Sequence, residues 1–282
     1  MMKRNILLMI VIIIPVLICA ITRYVDDDYT NPTAPYYSTI QDAIDDYVNG
    51  DIILVSPGKY YESISYSVTG LSQSFIMRSN YTVSEDWKDV EGTVIDATGQ
   101  NNSAVSISHS ATGYISVEID GFTICNGYRG LNLVKTSADI KNCIICDNAP
   151  PSANGGGACL SNGLPAEFEN CLFYGNEALS GGGLYSSGNE VSLNNCEFYN
   201  NKATDEYGGA IFFEDEGVNC ADLNITRCLF YENIAEEAGG AIYFPGYETP
   251  SYDLTISFST FADNMVETGS GAKGIHLLSN RA

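Results

Sequence analysis

The sequence predicts an all-β chain wound as a parallel β-helix solenoid, with a short α-helix capping its N-terminal end. Three observations carry this. A six-residue phrase recurs at Cys143-Ile-Ile-Cys-Asp-Asn148, Cys171-Leu-Phe-Tyr-Gly-Asn176, Cys196-Glu-Phe-Tyr-Asn-Asn201, Cys228-Leu-Phe-Tyr-Glu-Asn233 and Ser259-Thr-Phe-Ala-Asp-Asn264, with a degenerate copy at Gly121–Asn126. Paired glycines followed by a small or aliphatic residue sit between copies, at Gly156–Ala158, Gly182–Leu184, Gly208–Ile211 and Gly239–Ile242. The intervening segments alternate with period two, as in Val191–Phe198 and Asp222–Phe230.

The phrase returns at steps of 28, 25, 32 and 31 residues, and self-similarity at such a period marks a repeat architecture. Alternating runs bounded by Gly, Asn, Asp or Pro are strands, and two or three of them with their turns bring the chain back above its start. Equivalent positions then stack about 4.8 Å apart, so each column of the alignment becomes a ladder. Phe173, Phe198, Phe230 and Phe261 are expected to stack inside the core. An Asn column is expected to run unbroken from Asn126 through Asn148, Asn176, Asn201 and Asn233 to Asn264, because Asn tolerates left-handed backbone and its amide can bond both the local turn and the next coil. The paired glycines serve another corner, by positive φ or close backbone approach.

These two phrases together resemble the repeat of the polymorphic outer membrane protein family, known from chlamydial surface adhesins, and more generally the pectin-lyase-like right-handed parallel β-helices. The resemblance covers about half of the chain, Cys143 to Asn264. It implies a right-handed coil and a cell-surface or outer-membrane setting, with an adhesin-like or structural role. No C-terminal autotransporter barrel follows the repeats, which departs from that family.

Residues 1–20 hold Lys3 and Arg4 and then an apolar run interrupted only by Pro15, which reads as a signal peptide. The run falls short of the roughly 17 to 25 residues of a spanning helix, against an uncleaved anchor. Residues 21–282 read as a single domain, with an N-terminal cap over 24–50 and the repeats over 117–279. Within the cap, Ile40, Ala43, Ile44, Tyr47 and Val48 fall at helical spacing, with Ser38 or Thr39 as N-cap and Gly50 beyond the end. Such a helix covers the open core of the first coil. Strands follow at Asp51–Val55, Phe75–Arg78, Thr93–Asp96, Ala104–Ser108, Ile115–Asp120 and Gly130–Val134, and Asn80–Glu91, with the single Trp87, reads as a projecting loop. After Leu278 no polar cap is evident, so end-to-end self-association at the C-terminus is an expectation.

Lys and Arg number 13 against 35 Asp and Glu, a formal charge of −22, and loss of Lys3 and Arg4 with the signal makes it two units more negative. The field disfavours nucleic acid and anionic polysaccharide as partners, and leaves a surface protein or a neutral glycan. Cys143, Cys171, Cys196 and Cys228 share a column and read as inward, small apolar side chains; a Cys125–Cys146 or Cys220–Cys228 disulfide is the alternative use of cysteine. Cys143 and Cys146 fall on opposite faces, against a metal site.

The pectin-lyase-like superfamily includes lyases and glycoside hydrolases, so a carbohydrate-active enzyme is the alternative to a binding surface. The cations Arg78, Lys88, Arg129, Lys135, Lys141, Lys202, Arg227 and Lys273 read as scattered, and His109 and His276 lack hydrolase context. Two carboxylates at a suitable separation can still meet in space, for example Glu118 or Asp120 with Asp139 of the next coil, although their alternation with Ile119 and Ile140 predicts plain solvent-facing positions. Calcium at acidic turns such as Asp147, Glu232 and Asp263 lacks a repeating ligand spacing. No catalytic, cofactor or metal residue is therefore assigned, and the reading is a non-enzymatic, secreted or surface β-helix.

Overall fold

The computed structural model describes residues 20–162, 164–214, 221–246 and 253–279. The segment expected to be a signal, and Cys220 of one expected disulfide, lie outside the described residues.

Every strand pairing is parallel, and the strands form three long sheets and one short one. The first sheet runs from Tyr36–Tyr37 and Thr22–Val25 through Ile52–Val55, Gln73–Ser79, Ile115–Asp120, Thr136–Lys141, Ala166–Glu169, Val191–Asn194 and Leu223–Thr226 to Leu254–Ser257. The second runs from Gly58–Tyr60 to Thr260–Ala262, the third from Ile64–Val68 to Ile275–Ser279, and the fourth joins the two-residue strands from Glu177–Ala178 to Met265–Val266. One coil visits the first, second, fourth and third sheets in turn: Ala166–Glu169, Leu172–Tyr174, Glu177–Ala178, Leu184–Ser187. This is the parallel solenoid read from the repeats.

The core is the inside of that coil. Phe173, Phe198, Phe230 and Phe261 stack with centroids 4.5, 5.0 and 4.7 Å apart, nearly coplanar in direction. Beside them run Cys143, Cys171, Cys196 and Cys228, all buried. Each of these thiols donates to the carbonyl two residues upstream, as Cys143 does to Lys141 at 3.0 Å and Cys228 to Thr226 at 3.3 Å. That bond spans the one-residue left-handed turn at Asn142, Asn170, Asn195 and Arg227, which bends the chain from the first sheet to the second.

The Asn column is internal and continuous from Asn148 to Asn264, with two corrections. The left-handed backbone sits one residue earlier, at Asp147, Gly175, Asn200, Glu232 and Asp263, so the ladder Asn contributes its amide and not its φ. Asn126 is outside the ladder: Cys125 pairs with Cys146, which sets Asn126 level with Asp147, and Asn148 Oδ1 accepts instead from the Gly127 N–H at 2.9 Å. The degenerate copy is thus offset by one residue, with Phe122 taking the inner place of the cysteines. The left-handed glycine column is Gly155, Gly181, Gly208 and Gly239, which keeps the last two phrases as read and sets the first two one residue earlier. At Gly209 a Cβ would lie 2.3 Å from the Gly240 carbonyl and 2.5 Å from that of Ile234, so backbone crowding, not φ, demands glycine there.

The capping helix is Ile40–Asp45, shorter than the spacing predicts. Thr39 Oγ1 accepts from Asp42 N–H, and the Glu62 carboxylate accepts from the N–H groups of Ile40 and Gln41, at 2.8 and 3.0 Å. Ile40, Ala43 and Ile44 are buried on the first coil, whereas Val48 is exposed. Below it Arg23 and Asp51 form a buried ion pair at 2.8 Å, shared with Tyr37 at 2.6 Å. The expected loop at Asn80–Glu91 is instead two short helices, Tyr81–Ser84 and Trp87–Gly92. They fold onto the outside of the second sheet because Val90, with Tyr81 and Trp87, finds the apolar patch of Cys125, Ile144 and Cys146 there.

Candidate functional site

Two outward faces gather polar groups. On the first sheet, Val117, Ile119 and Ile140 point inward, which turns Glu118, Asp120, Asp139 and Lys141 outward, as alternation predicts. Register then sets Asp120 between Arg78 and Lys141, and Asp139 between Glu118 and Glu167. Arg78 Nε reaches Glu118 at 2.5 Å and Lys141 Nζ reaches Asp139 at 2.6 Å. Asp120 accepts from Asn142 Nδ2 at 2.8 Å, while its burial and then the neighbouring Glu118 raise its pKa above the usual carboxylate value. The groove over Arg78, Glu118, Asp120 and Lys141, about 590 Å³, is completed by Thr22, Ile52, Leu54, Thr82 and Val83.

This corrects the reading of the cations as wholly scattered: Arg78 and Lys141 lie 63 residues apart in sequence, yet both flank one carboxylate. Coil length fixes that meeting, and no local pattern betrays it. The remaining cations do serve separate places. Lys59 pairs with Asp96 at 2.7 Å, Arg129 and Lys135 bond the carbonyls of Asn154 and Ala111, and Arg227 bonds Asn194.

On the third sheet, the outward column begins Ser65, Ser106, Asn132 and continues Cys159, Tyr185, Phe212, Tyr243, His276. Its polar end opens into a cleft of about 520 Å³ lined by Ser63, Ile64, Ser65, Asn101, Asn102, Ser103, Ser106, Tyr128 and Asn132. No lining residue is charged. Ser63 Oγ is buried there without a hydrogen-bond partner, and Asn132 is oriented by Ser106 at 3.3 Å and Arg129 at 3.4 Å. Arg129 also lies over the Tyr128 ring, 5.7 Å from its centroid. Residues 101–103 belong to a turn rather than a strand and carried no repeat signal, so the cleft is a product of coiling.

His109 is buried with Nδ1 accepting from Ala111 N–H, and His276 stacks on Tyr243 at 5.2 Å; neither reaches the carboxylates described. Asp147, Glu232 and Asp263 share one turn column, but Gly175 and Asn200 stand between the first of them and the other two. Among the described residues no group of three or more His, Cys, Asp or Glu side chains is placed to hold a metal ion, and no helix is long and apolar enough to cross a membrane.

The family described as a right-handed beta helix region matches residues 86–261. This chain belongs to the right-handed β-helix family. No curated protein matches the β-helix by sequence. Its coil is similar to those of solved structures. An alginate lyase from Paenibacillus sp. FPU-7 is 12% identical, with 85% of this chain and 96% of that one covered at a TM-score of 0.43. A pectin methylesterase mutant in complex with a hexasaccharide is 12% identical over 88% and 80% of the chains, TM-score 0.47. The pectin methylesterase of Aspergillus niger is 16% identical over 93% and 81%, TM-score 0.30. At such identities the likeness is one of fold alone.

Proposed function

We propose that this β-helix is an exported, glycan-binding solenoid that takes a neutral polysaccharide on the outer face of its third sheet. One observation carries the reading: on a chain of net charge −22, the cleft at Ser63–Ser65, Asn101–Ser106, Tyr128 and Asn132 contains no charged side chain. Hydroxyls and carboxamides both donate and accept, which matches sugar hydroxyls, and a half-buried tyrosine offers an apolar ring for a pyranose face. A uronate would meet the repulsive field of the whole molecule with no free cation in the cleft. The apolar segment before Ala20, and the repeat phrases resembling the polymorphic outer membrane protein repeat, support a secreted or surface setting with an adhesin-like role.

A second reading, a carbohydrate-active enzyme, is favoured by the Asp120 groove. Burial raises the pKa of Asp120, as a general acid needs, and the Glu118 and Asp139 carboxylates stand near it on the same and the next coil. It ranks second because Arg78 and Lys141 are each spent on a carboxylate partner, as in a charge lattice on a sheet surface.

Calorimetric titration with neutral and uronate oligosaccharides tests the first reading. Binding is expected for neutral chains alone, weakened about tenfold, or ~1.4 kcal/mol, by Asn132→Ala and by Tyr128→Ala and unchanged by Asp120→Asn. Binding of uronates only, or neutral binding indifferent to both cleft variants, overturns it. Reducing-end release from neutral glycans that disappears in Asp120→Asn would establish the second.

A further inference from the structure

Cys125 and Cys146, one of the two alternative disulfide pairings, are free thiols in this structure, yet they stand directly opposite each other on adjacent parallel strands of the second sheet. We infer that Cys125 and Cys146 form a reversible oxidation site, closed to a disulfide by a small-molecule disulfide such as glutathione disulfide. The inference is independent of the glycan reading.

Geometry separates this pair from the other cysteines. Parallel neighbours lie about 4.8 Å apart, inside the roughly 4.4–6.8 Å Cα window that a disulfide accepts. Ile124 and Ile145 occupy the core, so both thiols face outward, beneath Trp87 and Val90 of the short helices. Asn126 Nδ2 donates to Cys125 Sγ at 3.3 Å, and Cys125 and Cys146 pack in one cluster with Tyr174. The neighbouring Cys146 thiol brings the Cys125 pKa below the usual thiol value, against the opposing effects of burial and of Asp96. The inner column Cys143, Cys171, Cys196 and Cys228 is enclosed in the core instead, with no lifting element over it. The Asn126 amide bond to Cys125 Sγ stabilises a thiolate there, so Cys125 is the attacking sulfur.

The Cys125 thiolate attacks one sulfur of the oxidant, forms a mixed disulfide and expels one thiolate. Cys146 then loses its proton to solvent and attacks Cys125 Sγ, forming the intrachain bond and expelling the second thiolate. The pair gives up two electrons and two protons, and the oxidant becomes two thiols. Entry requires the helices Tyr81–Ser84 and Trp87–Gly92 to lift, and elements of four and six residues open locally more easily than a coil.

The test treats the reduced full chain with graded glutathione disulfide, alkylates the remaining thiols and maps peptides by mass. The expected product is a Cys125–Cys146 crosslink with loss of two alkylatable thiols, and a drop in Trp87 emission that reductant reverses. Cys146→Ser is expected to stop at a glutathione adduct on Cys125. Full alkylation of both residues while circular dichroism still reports the fold, a crosslink to another cysteine, or an adduct that avoids Cys125 in Cys146→Ser overturns the proposal. The wild-type map decides even where a variant folds poorly.

Discussion

Asn148 and Asn176, one coil apart and both fully buried, are joined twice: the backbone N–H and the side-chain amide of Asn148 both donate to Asn176 Oδ1, at 3.1 and 3.0 Å. The same double bond links Asn176 to Asn201, Asn201 to Asn233 and Asn233 to Asn264. Each Nδ2 from Asn176 onward also donates to a carbonyl of the preceding coil, as Asn201 does to Phe173 O at 2.9 Å.

Asn201→Ala therefore leaves two donors of Asn176 and the Phe173 carbonyl unpaired in the core. Unsatisfied buried groups cost about 1–3 kcal/mol each, so a loss of about 4 kcal/mol is expected. Denaturant titration checks it, and a loss below about 1 kcal/mol would show that water replaces the ladder.

The two aromatic ladders differ in what they bury. Phe198, fully buried between Phe173 and Phe230, is expected to cost about 3–5 kcal/mol as Phe198→Ala. Its neighbour Tyr199 stacks 5.0 Å from Tyr174 and from Tyr231 on the outer face, where water still reaches it. Tyr199→Ala is expected to cost about 1 kcal/mol, the scale of a surface cross-strand pair. Equal losses in thermal unfolding would mean the outer stack is as structural as the inner.

Two buried carboxylates set the acid limit. Burial alone would raise Asp51, but N–H bonds from Ile21 and Val48 together with Arg23 hold it below its ordinary 3.8. Asp96, against the same burial, is held well below that value by Lys59, Thr98 and Asn126. Depressed folded pKa values supply stability that is complete above about 3.8 and is lost as pH falls through the folded values. Asp51→Asn strands Arg23 and is expected to cost about 3 kcal/mol at neutral pH. The gap from wild type should close as pH drops below 3.8 in pH-dependent unfolding; a constant gap contradicts the assignment.

Asp120 carries the opposite sign. With its folded pKa raised, its stabilising share is whole below the unfolded value and is lost as pH rises through the folded one. Asp120→Asn, which keeps an oxygen for Asn142 and removes repulsion from Glu118, is expected to raise the melting point at neutral pH and to match wild type near pH 3. A variant less stable than wild type at neutral pH would show that Arg78 and Lys141 outweigh burial there.

Repetition made the scaffold legible in the sequence. A residue type recurring at one phase, Phe173 to Phe261 or Cys143 to Cys228, declares parallel stacking and an inside, because only a buried column penalises every departure equally. Local chemistry also narrowed the N-cap to Ser38 or Thr39, of which Thr39 caps the helix, and gave most strand positions. Tertiary structure alone decided the offsets and the meetings. Coil lengths vary by several residues, so the place of Asn126 opposite Asp147, of Asp120 between Arg78 and Lys141, and of the uncharged cleft beside Tyr128 depends on how much chain each turn consumes before the next strand pairs. The helices at Tyr81–Ser84 and Trp87–Gly92 form for the same reason: too short to persist alone, they are held by the Cys125–Cys146 patch that coiling creates.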